Sequence, residues 1–167
     1  MLAQSNILEN ELRITPFPAE DSRAVVMPNP DFAYVSMFYD LDKGPIYISG
    51  LMPDSTYWSV ALYEANTNNY FVKNDQQFDT NELDVIITTQ KHPLTKDSRH
   101  LVGTLVPSYY NFHLIKEGLV PIGTELIKSP NEKGFLLIRV LSTKKSKQEK
   151  DEIVKLMEAL QVRQVIR

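Results

Sequence analysis

The chain has no cysteine among its 167 residues, which excludes disulfides, thiolate metal sites and cysteine nucleophiles. Its six glycines are scattered, so neither the Walker nor the dinucleotide-binding spacing occurs. Its apolar runs are short as well. Even Gly134–Leu141 falls far below the roughly 20 residues that a membrane-spanning helix needs. The sequence therefore offers no phosphate-binding loop and no membrane span.

Catalytic motifs are also missing. None of the eleven serines lies in a G-x-S-x-G motif, and His92, His100 and His113 lack the short spacing typical of zinc ligands. We therefore predict no cofactor and no metal. One acidic segment leaves two interpretations open, a site for a hard cation or a solvated loop. It comprises Asp75, Asp79, Glu82 and Asp84.

Charge is distributed unevenly along the chain. Residues 1–142 carry 11 Lys and Arg against 17 Asp and Glu, whereas residues 143–167 carry 7 against 4. A mostly acidic body is a poor match for nucleic acid phosphates, so we expect no nucleic acid partner. A small-molecule or protein partner remains open. So does a homo-oligomer formed through exposed strand edges or through the face that carries Tyr57 and Tyr63.

What the chain does contain is aromatic residues, with eight Tyr, seven Phe and one Trp. Short alternating segments separated by turn residues predict a mainly β fold. We expect one domain over 1–167, an antiparallel β-sandwich or jelly-roll-like domain with one C-terminal amphipathic helix. One or two helical turns are expected around 109–117. The predicted strands are 11–15, 24–27, 32–39, 45–51, 57–63, 70–73, 83–89, 124–128 and 134–143.

Two turns have readable chemistry. Asp42-Lys43-Gly44-Pro45 predicts a tight reversal that joins strands 32–39 and 45–51 as a hairpin. In MPNPDFAY, the two prolines end one strand and direct the next. Asn29 and Asp31 then either cap this turn through their side chains or contact a ligand.

Two strands suggest a face with a function. In Tyr57–Tyr63, alternation places Trp58, Val60 and Leu62 toward a core. The opposite residues suit the wall of a shallow cavity or a second packed layer. Arg139, within LLIRVL, should either point to solvent, pair with Asp31 or another acid, or bind a ligand, because an unpaired buried charge is costly.

The C-terminal segment predicts a helix over 146–161. Ser146 and Glu149 form an S-x-x-E capping box. An apolar stripe follows at helical spacing, which should lie against the sheet. The stripe consists of Ile153, Leu156, Met157 and Leu160.

Three segments, MPNPDFAYVSMFYDLDKGPIYISG, YWSVALYEANTNNYFVKND and GFLLIRVLST followed by the helix, resemble the bacterial family called domain of unknown function 1254. The resemblance covers most of 23–90 and 125–160, and 91–124 looks like an insertion. It implies a sandwich or jelly-roll fold. Matching the family's Asn-x-Asp, Asn-Asn, Asn-Asp and late-strand Arg positions, together with the cavity wall, gives a set of candidate ligand-binding residues. They are Asn29, Asp31, Tyr34, Tyr63, Asn69, Asn74, Asp75 and Arg139.

Two functional hypotheses follow. The first is a non-catalytic binding or envelope-associated module, since catalytic motifs are absent. The alternative comes from the resemblance, because long family members have been proposed to be metal-dependent hydrolases. A phosphoester hydrolase would use Asp31 and Asp75 as acidic groups and Arg139 as an anion contact, provided that folding brings them together. The resemblance implies the cell envelope, although this chain lacks the anchoring helix of short members.

Overall fold

The structure, a computed structural model, describes residues 8–18, 29–96 and 108–166. The predicted strand 24–27 and His100 lie outside the described residues. The strands are β1 Arg13–Thr15, β2 Phe32–Asp40, β3 Ile46–Leu51, β4 Trp58–Glu64, β5 Asn69–Asn74, β6 Glu82–Thr88, β7 Thr95–Lys96, β8 Leu119–Val120, β9 Glu125–Lys128, β10 Lys133–Leu141 and β11 Gln161–Gln164. The helices are α1 Ser108–Lys116 and α2 Lys147–Glu158.

Two sheets form a sandwich. The first sheet has the order β1-β2-β10-β4-β5, and the second has the order β11-β3-β6-β9. Between them lies the main core, to which alternate residues of each strand contribute, Trp58 and Val60 among them. The mainly β prediction is confirmed. The sheets are antiparallel except that β6 and β9 pair in parallel, as do the short strands β7 and β8.

The predicted hairpin at Asp42–Pro45 is wrong. The strand before it, β2, pairs with β1 and β10 in the first sheet, whereas β3 belongs to the second. The longer strand β10 pairs with β2 instead of β3. The β10–β2 register runs from Lys133 opposite Asp40 to Leu141 opposite Phe32. The turn instead carries the chain across the core from one sheet to the other.

The C-terminal helix is confirmed, with different ends. The Ser146 side chain caps it by accepting a hydrogen bond from the Glu149 N–H at 3.2 Å. The Glu149 carboxylate does not complete the capping box. It accepts hydrogen bonds from the Ser142 hydroxyl at 2.6 Å and from the N–H groups of Lys144 and Lys145. Helix α2 ends at Glu158, and the chain returns as β11, a strand that the sequence did not predict.

Of the predicted apolar stripe, Ile153 and Met157 on α2 and Leu160 just beyond its end enter the main core, whereas Leu156 is half-buried outside it. Leu160 packs so closely on Gly50 that a Cβ added to Gly50 would collide with the Leu160 side chain. No helix in the described part of the chain is long and apolar enough to cross a membrane.

The outer face of the second sheet is covered. Helix α1 and strand β8 pack over it and form a smaller core that contains Tyr47, Ile86, Ile115, Val120 and Val165. The outer face of the first sheet lacks this cover from α1, which packs on the second sheet. Its outward residues are buried at Tyr34, Ser59 and Ala61 and exposed at Phe38 and Val72.

Candidate functional site

One row of side chains crosses the outer face of the first sheet. Tyr34 on β2 lies opposite Arg139 on β10, which lies opposite Ser59 on β4, which lies opposite Asn74 on β5. Direct cross-strand partners share one face of a sheet. Because the alternate residues of these strands fill the main core, this row points away from it. The structure thus places Tyr34, Arg139 and Asn74 from the predicted set in one row, with Tyr34 and Asn74 three strand spacings apart, and adds Ser59 beside Arg139.

Arg139 is half-buried and has no carboxylate partner among the described residues. Its guanidinium lies 5.8 Å from the centre of the Phe32 ring. The predicted pair with Asp31 does not form, because the Asp31 carboxylate is held by Lys145 at 2.8 Å. An aromatic face stabilises a guanidinium only modestly. The positive charge of Arg139 therefore stays available to an anion.

One polar oxygen directly across from Arg139, Ser59 Oγ, is buried without a hydrogen-bond partner among the described residues. Ser59 is only 1% exposed. A buried polar atom without a partner costs about 1 to 3 kcal/mol. Asn74, the next residue of the row, forms a capping box with Gln77 in the turn that follows β5. The Ser59 hydroxyl is therefore the group of the row that lacks a hydrogen-bond acceptor.

The MPNPDFAY turn is held by its own side chains. Asn29 Oδ1 accepts a hydrogen bond from the Asp31 N–H at 2.9 Å. The Tyr34 hydroxyl accepts one from the Asn29 N–H at 3.1 Å. Of the two roles predicted for Asn29, the structure shows the capping one.

The bend at the end of β4 is held by Asn69. Its Nδ2 donates to the carbonyls of Leu62 at 3.1 Å and Phe71 at 3.2 Å. These bonds fix the irregular register between Leu62 and Tyr63. They leave the Tyr63 ring on the outer face, 6.3 Å from the Phe135 ring.

A cavity of about 410 Å³ opens beside these rings. Its apolar wall includes Phe38, Phe135 and Ala65, with Glu64 and Lys133 also lining it. The Phe38 and Phe135 rings lie 4.9 Å apart. Gly134 also lines the cavity and has no room for a side chain, since a Cβ there would collide with the Tyr39 hydroxyl and the Tyr63 carbonyl.

Sequence reasoning missed this aromatic end. FAYVSMFY reads as apolar on both faces, which predicts a central strand but does not separate the inward Tyr39 from the outward Phe38. Phe135 lies in a continuous apolar run, so alternation of polar and apolar residues does not predict which face of the sheet it occupies. Only the register of β2 with β10 places the two rings side by side.

Asp31 and Asp75 are not brought together. Asp31 precedes β2 and Asp75 follows β5, and these strands have β10 and β4 between them. Three strand spacings amount to roughly 14 Å. The described residues contain no group of three or more His, Asp or Glu side chains placed to hold a metal ion.

Asp84 lies instead on the covered face of the second sheet. Asn111 Nδ2, on α1, donates to the Asp84 carboxylate at 3.2 Å and to the Tyr47 hydroxyl at 3.4 Å. Burial raises the pKa of the Asp84 carboxyl, although a hydrogen bond from Tyr47 opposes the rise. Burial and the nearby Asp84 charge raise the pKa of Tyr47 to about 12. This network joins α1 to the sheet.

Fold and site define a two-sheet β-sandwich domain with an incompletely paired polar row on one outer face. The chain belongs to the family described as "Protein of unknown function (DUF1254)", whose model matches residues 9–164. No curated protein matches the chain.

Two solved structures resemble it. The VPA0106 protein from Vibrio parahaemolyticus is 14% identical with a TM-score of 0.62, and the match covers 96% of this chain and 31% of that one. A putative uncharacterized protein from Burkholderia cenocepacia is 11% identical with a TM-score of 0.41, over 68% of this chain and 27% of that one. The chain therefore spans about a third of the length of the Vibrio protein, and the likeness shows the fold alone.

Proposed function

We propose that this domain is a non-catalytic binding module, and that its ligand presents a negatively charged group to Arg139. The observation that carries the proposal is a half-buried guanidinium that has no carboxylate partner among the described residues. A guanidinium binds carboxylates and phosphates through two parallel hydrogen bonds. An anion would therefore both pair this charge and occupy the row.

A neighbouring group supports an anion with acceptor oxygens. Ser59 Oγ can donate one hydrogen bond. It lies directly across from Arg139 and is buried without a partner among the described residues. A carboxylate or phosphate oxygen that accepts this hydrogen bond would remove the cost of leaving the hydroxyl unpaired.

The placement of the carboxylates favours binding over hydrolysis of phosphoesters. General acid and base groups must reach one substrate. Asp31 is paired with Lys145 at 2.8 Å and lies three strand positions from Asp75. Neither carboxylate faces the other across a shared pocket.

Envelope association is part of the proposal and is supported by the family resemblance. It is checked by fractionating the cells that naturally make the protein. Recovery with the periplasm or the membranes is expected, and recovery with the cytosol contradicts this part. The acidic charge of residues 1–142 supports a small-molecule ligand over nucleic acid.

Calorimetric titration tests the anion site directly. Butanoate, inorganic phosphate and the uncharged butanamide are titrated into the wild type and into the Arg139→Gln variant. Arg163→Gln is a matched control, since Arg163 lies over a phenylalanine ring at 5.4 Å but on the second sheet. We expect an anion to bind the wild type and Arg163→Gln, and to bind Arg139→Gln about tenfold or more weakly.

Two results would contradict the proposal. The first is anion binding that Arg139→Gln leaves unchanged. The second is turnover on a panel of phosphoesters with divalent cations that a folded Asp31→Asn variant abolishes, because this would make the domain catalytic.

A further inference from the structure

We infer that the ligand is a long-chain carboxylate, which lies along β10 with its head at Arg139 and its apolar chain in the aromatic cavity. This inference rests on the proposed function, because it needs Arg139 to bind an anion. It adds the chemical class of the ligand and the direction in which it lies.

The polar row and the cavity lie on the same face of the same strand. Phe135 precedes Arg139 by four positions on β10, and alternation gives both the outer face. Four residues of strand span roughly 14 Å. Phe38 and Tyr63 are the cross-strand partners of Phe135, so the cavity is reached by moving straight along β10 from Arg139.

The path between the two ends is uncharged. Its central residue is Leu137, which is half-buried and lies opposite Ser36 on β2 and Ala61 on β4. These three residues form a strip of uncharged groups, in which Ser36 and Leu137 are half-buried and Ala61 is 6% exposed. An alkyl chain can cross such a strip without desolvating a charge.

The far end suits an apolar chain. Phe38 is 44% exposed although its ring packs against that of Phe135 at an angle of 51°. An exposed aromatic residue beside an apolar cavity of about 410 Å³ is typical of a ligand site. Burying this surface under an alkyl chain provides the hydrophobic part of the binding free energy.

The charges fix the orientation. Lys133, at the cavity end, is already paired with Glu9 at 2.8 Å and with Asp40 at 3.1 Å, and Glu64 also lines the cavity. An anionic head would meet net negative charge there. Arg139, at the other end, has no such partner among the described residues, so the head belongs at Arg139.

The head group should carry a single negative charge. Arg139 is one cation, its neighbours Ser59 and Asn74 are neutral, and the Asp75 carboxylate lies just beyond them. Arg13, on the edge strand, lies in the row of Ser36 and Leu137, roughly 12 Å from Arg139. Lys145 is already paired with Asp31. A carboxylate is satisfied by one guanidinium, whereas the second charge of a phosphate monoester would lack a partner.

Calorimetric titration of four probes into the native protein tests this class of ligand. The probes are butanoate, decanoate, 1-decanol and decyl phosphate, each kept below the concentration at which it aggregates. An extended chain of ten carbons reaches roughly 11 Å, because C–C bonds near 1.5 Å zigzag, and so brings its end to the near side of the cavity. We expect decanoate to bind at least about 100-fold more tightly than butanoate, because each buried methylene contributes about three- to fourfold.

Variants separate the two ends. Phe38→Ala should weaken decanoate and 1-decanol by about tenfold and leave butanoate unchanged. Arg139→Gln should weaken decanoate by about tenfold and leave 1-decanol unchanged. The matched controls are Leu51→Ala, an apolar side chain 52% exposed on the second sheet, and Arg163→Gln. Neither control should change any affinity by more than about twofold.

The outcomes distinguish the inference from the proposed function. Equal affinity for butanoate and decanoate, or no effect of Phe38→Ala, overturns the long-chain ligand while anion binding at Arg139 stands. Tighter binding of decyl phosphate than decanoate overturns the carboxylate head. If neither carboxylate nor decyl phosphate binds the wild type, both proposals fail. The comparison of probes on the wild type needs no variant to fold.

Discussion

The outer faces of the two sheets differ in how their polar residues are used. On the second sheet, α1 covers the face and Asn111 supplies hydrogen bonds to Asp84 and Tyr47. On the first sheet, Arg139 and Ser59 occupy equivalent outward positions and have no such partner among the described residues. A polar residue on an outer face thus stabilises the fold only where a neighbouring element pairs with it. Where none does, its charge or hydrogen-bonding capacity stays unpaired among the described residues.

The largest expected effect comes from the covered face. Ile86 is 0% exposed beneath α1, so Ile86→Ala should lower the free energy of unfolding by about 3 kcal/mol through lost burial and a new cavity. Val72→Ala, at a position 55% exposed on the first sheet, should change it by no more than about 0.5 kcal/mol. Urea unfolding measures both. Equal losses of unfolding free energy in the two variants would mean that α1 does not bury the outer face of the second sheet.

A second pair of variants compares polar groups. Asn111→Ala leaves Asp84 and Tyr47 without their amide donor, so we expect a loss of about 2 kcal/mol. Ser59→Ala removes a buried hydroxyl that has no partner among the described residues, so stability should stay the same or rise by up to about 1 kcal/mol. Thermal and urea unfolding check both variants. A loss from Ser59→Ala as large as that from Asn111→Ala would show that Ser59 is structurally paired.

Stretches with strong local signals were predictable from the sequence. Alternation identified the inward face of Tyr57–Tyr63, and the spacing of Ile153, Met157 and Leu160 identified α2. These patterns repeat with the period of a strand or a helix, so each can be recognised without knowing its neighbours. The Asn29 cap was readable for the same reason, because it bonds a residue two positions away.

The rest depends on contacts between distant parts of the chain. Asp42-Lys43-Gly44-Pro45 has hairpin chemistry, yet β10, far along the chain, pairs with β2 instead. The Glu149 carboxylate accepts a hydrogen bond from the Ser142 hydroxyl and not from the N–H of the N-cap residue Ser146. The aromatic cavity and the Arg139 row exist only through register, which a one-residue shift would reverse.

A smaller effect is expected from pH on the covered face. Burial raises the pKa of Asp84 above its ordinary value of 3.8, so the folded state favours the protonated form. This contribution to stability is present below pH 3.8 and is lost as pH rises through the folded pKa. Wild-type stability should therefore fall relative to Asp84→Asn as pH increases from about 4 to about 8.

Urea unfolding of both proteins across this range measures the difference. Glu158→Gln, at an exposed position on α2 outside the Asp84 network, provides a control and should change the pH dependence little. If the free energy of unfolding of the wild type instead rose relative to that of Asp84→Asn as pH increases, this would contradict the raised pKa of Asp84 and the buried network around it.

The central claim is that Arg139 binds an anion, and its side-chain Nε–H resonance tests this most directly. In the ¹⁵N-labelled protein, titration with decanoate should shift the Arg139 Nε–H signal, assigned by its loss in Arg139→Gln. The Arg163 signal, from an arginine placed over Phe112 in the same way, should stay in place. Equal shifts of both signals, or no shift at Arg139 while decanoate binds elsewhere, would contradict the account.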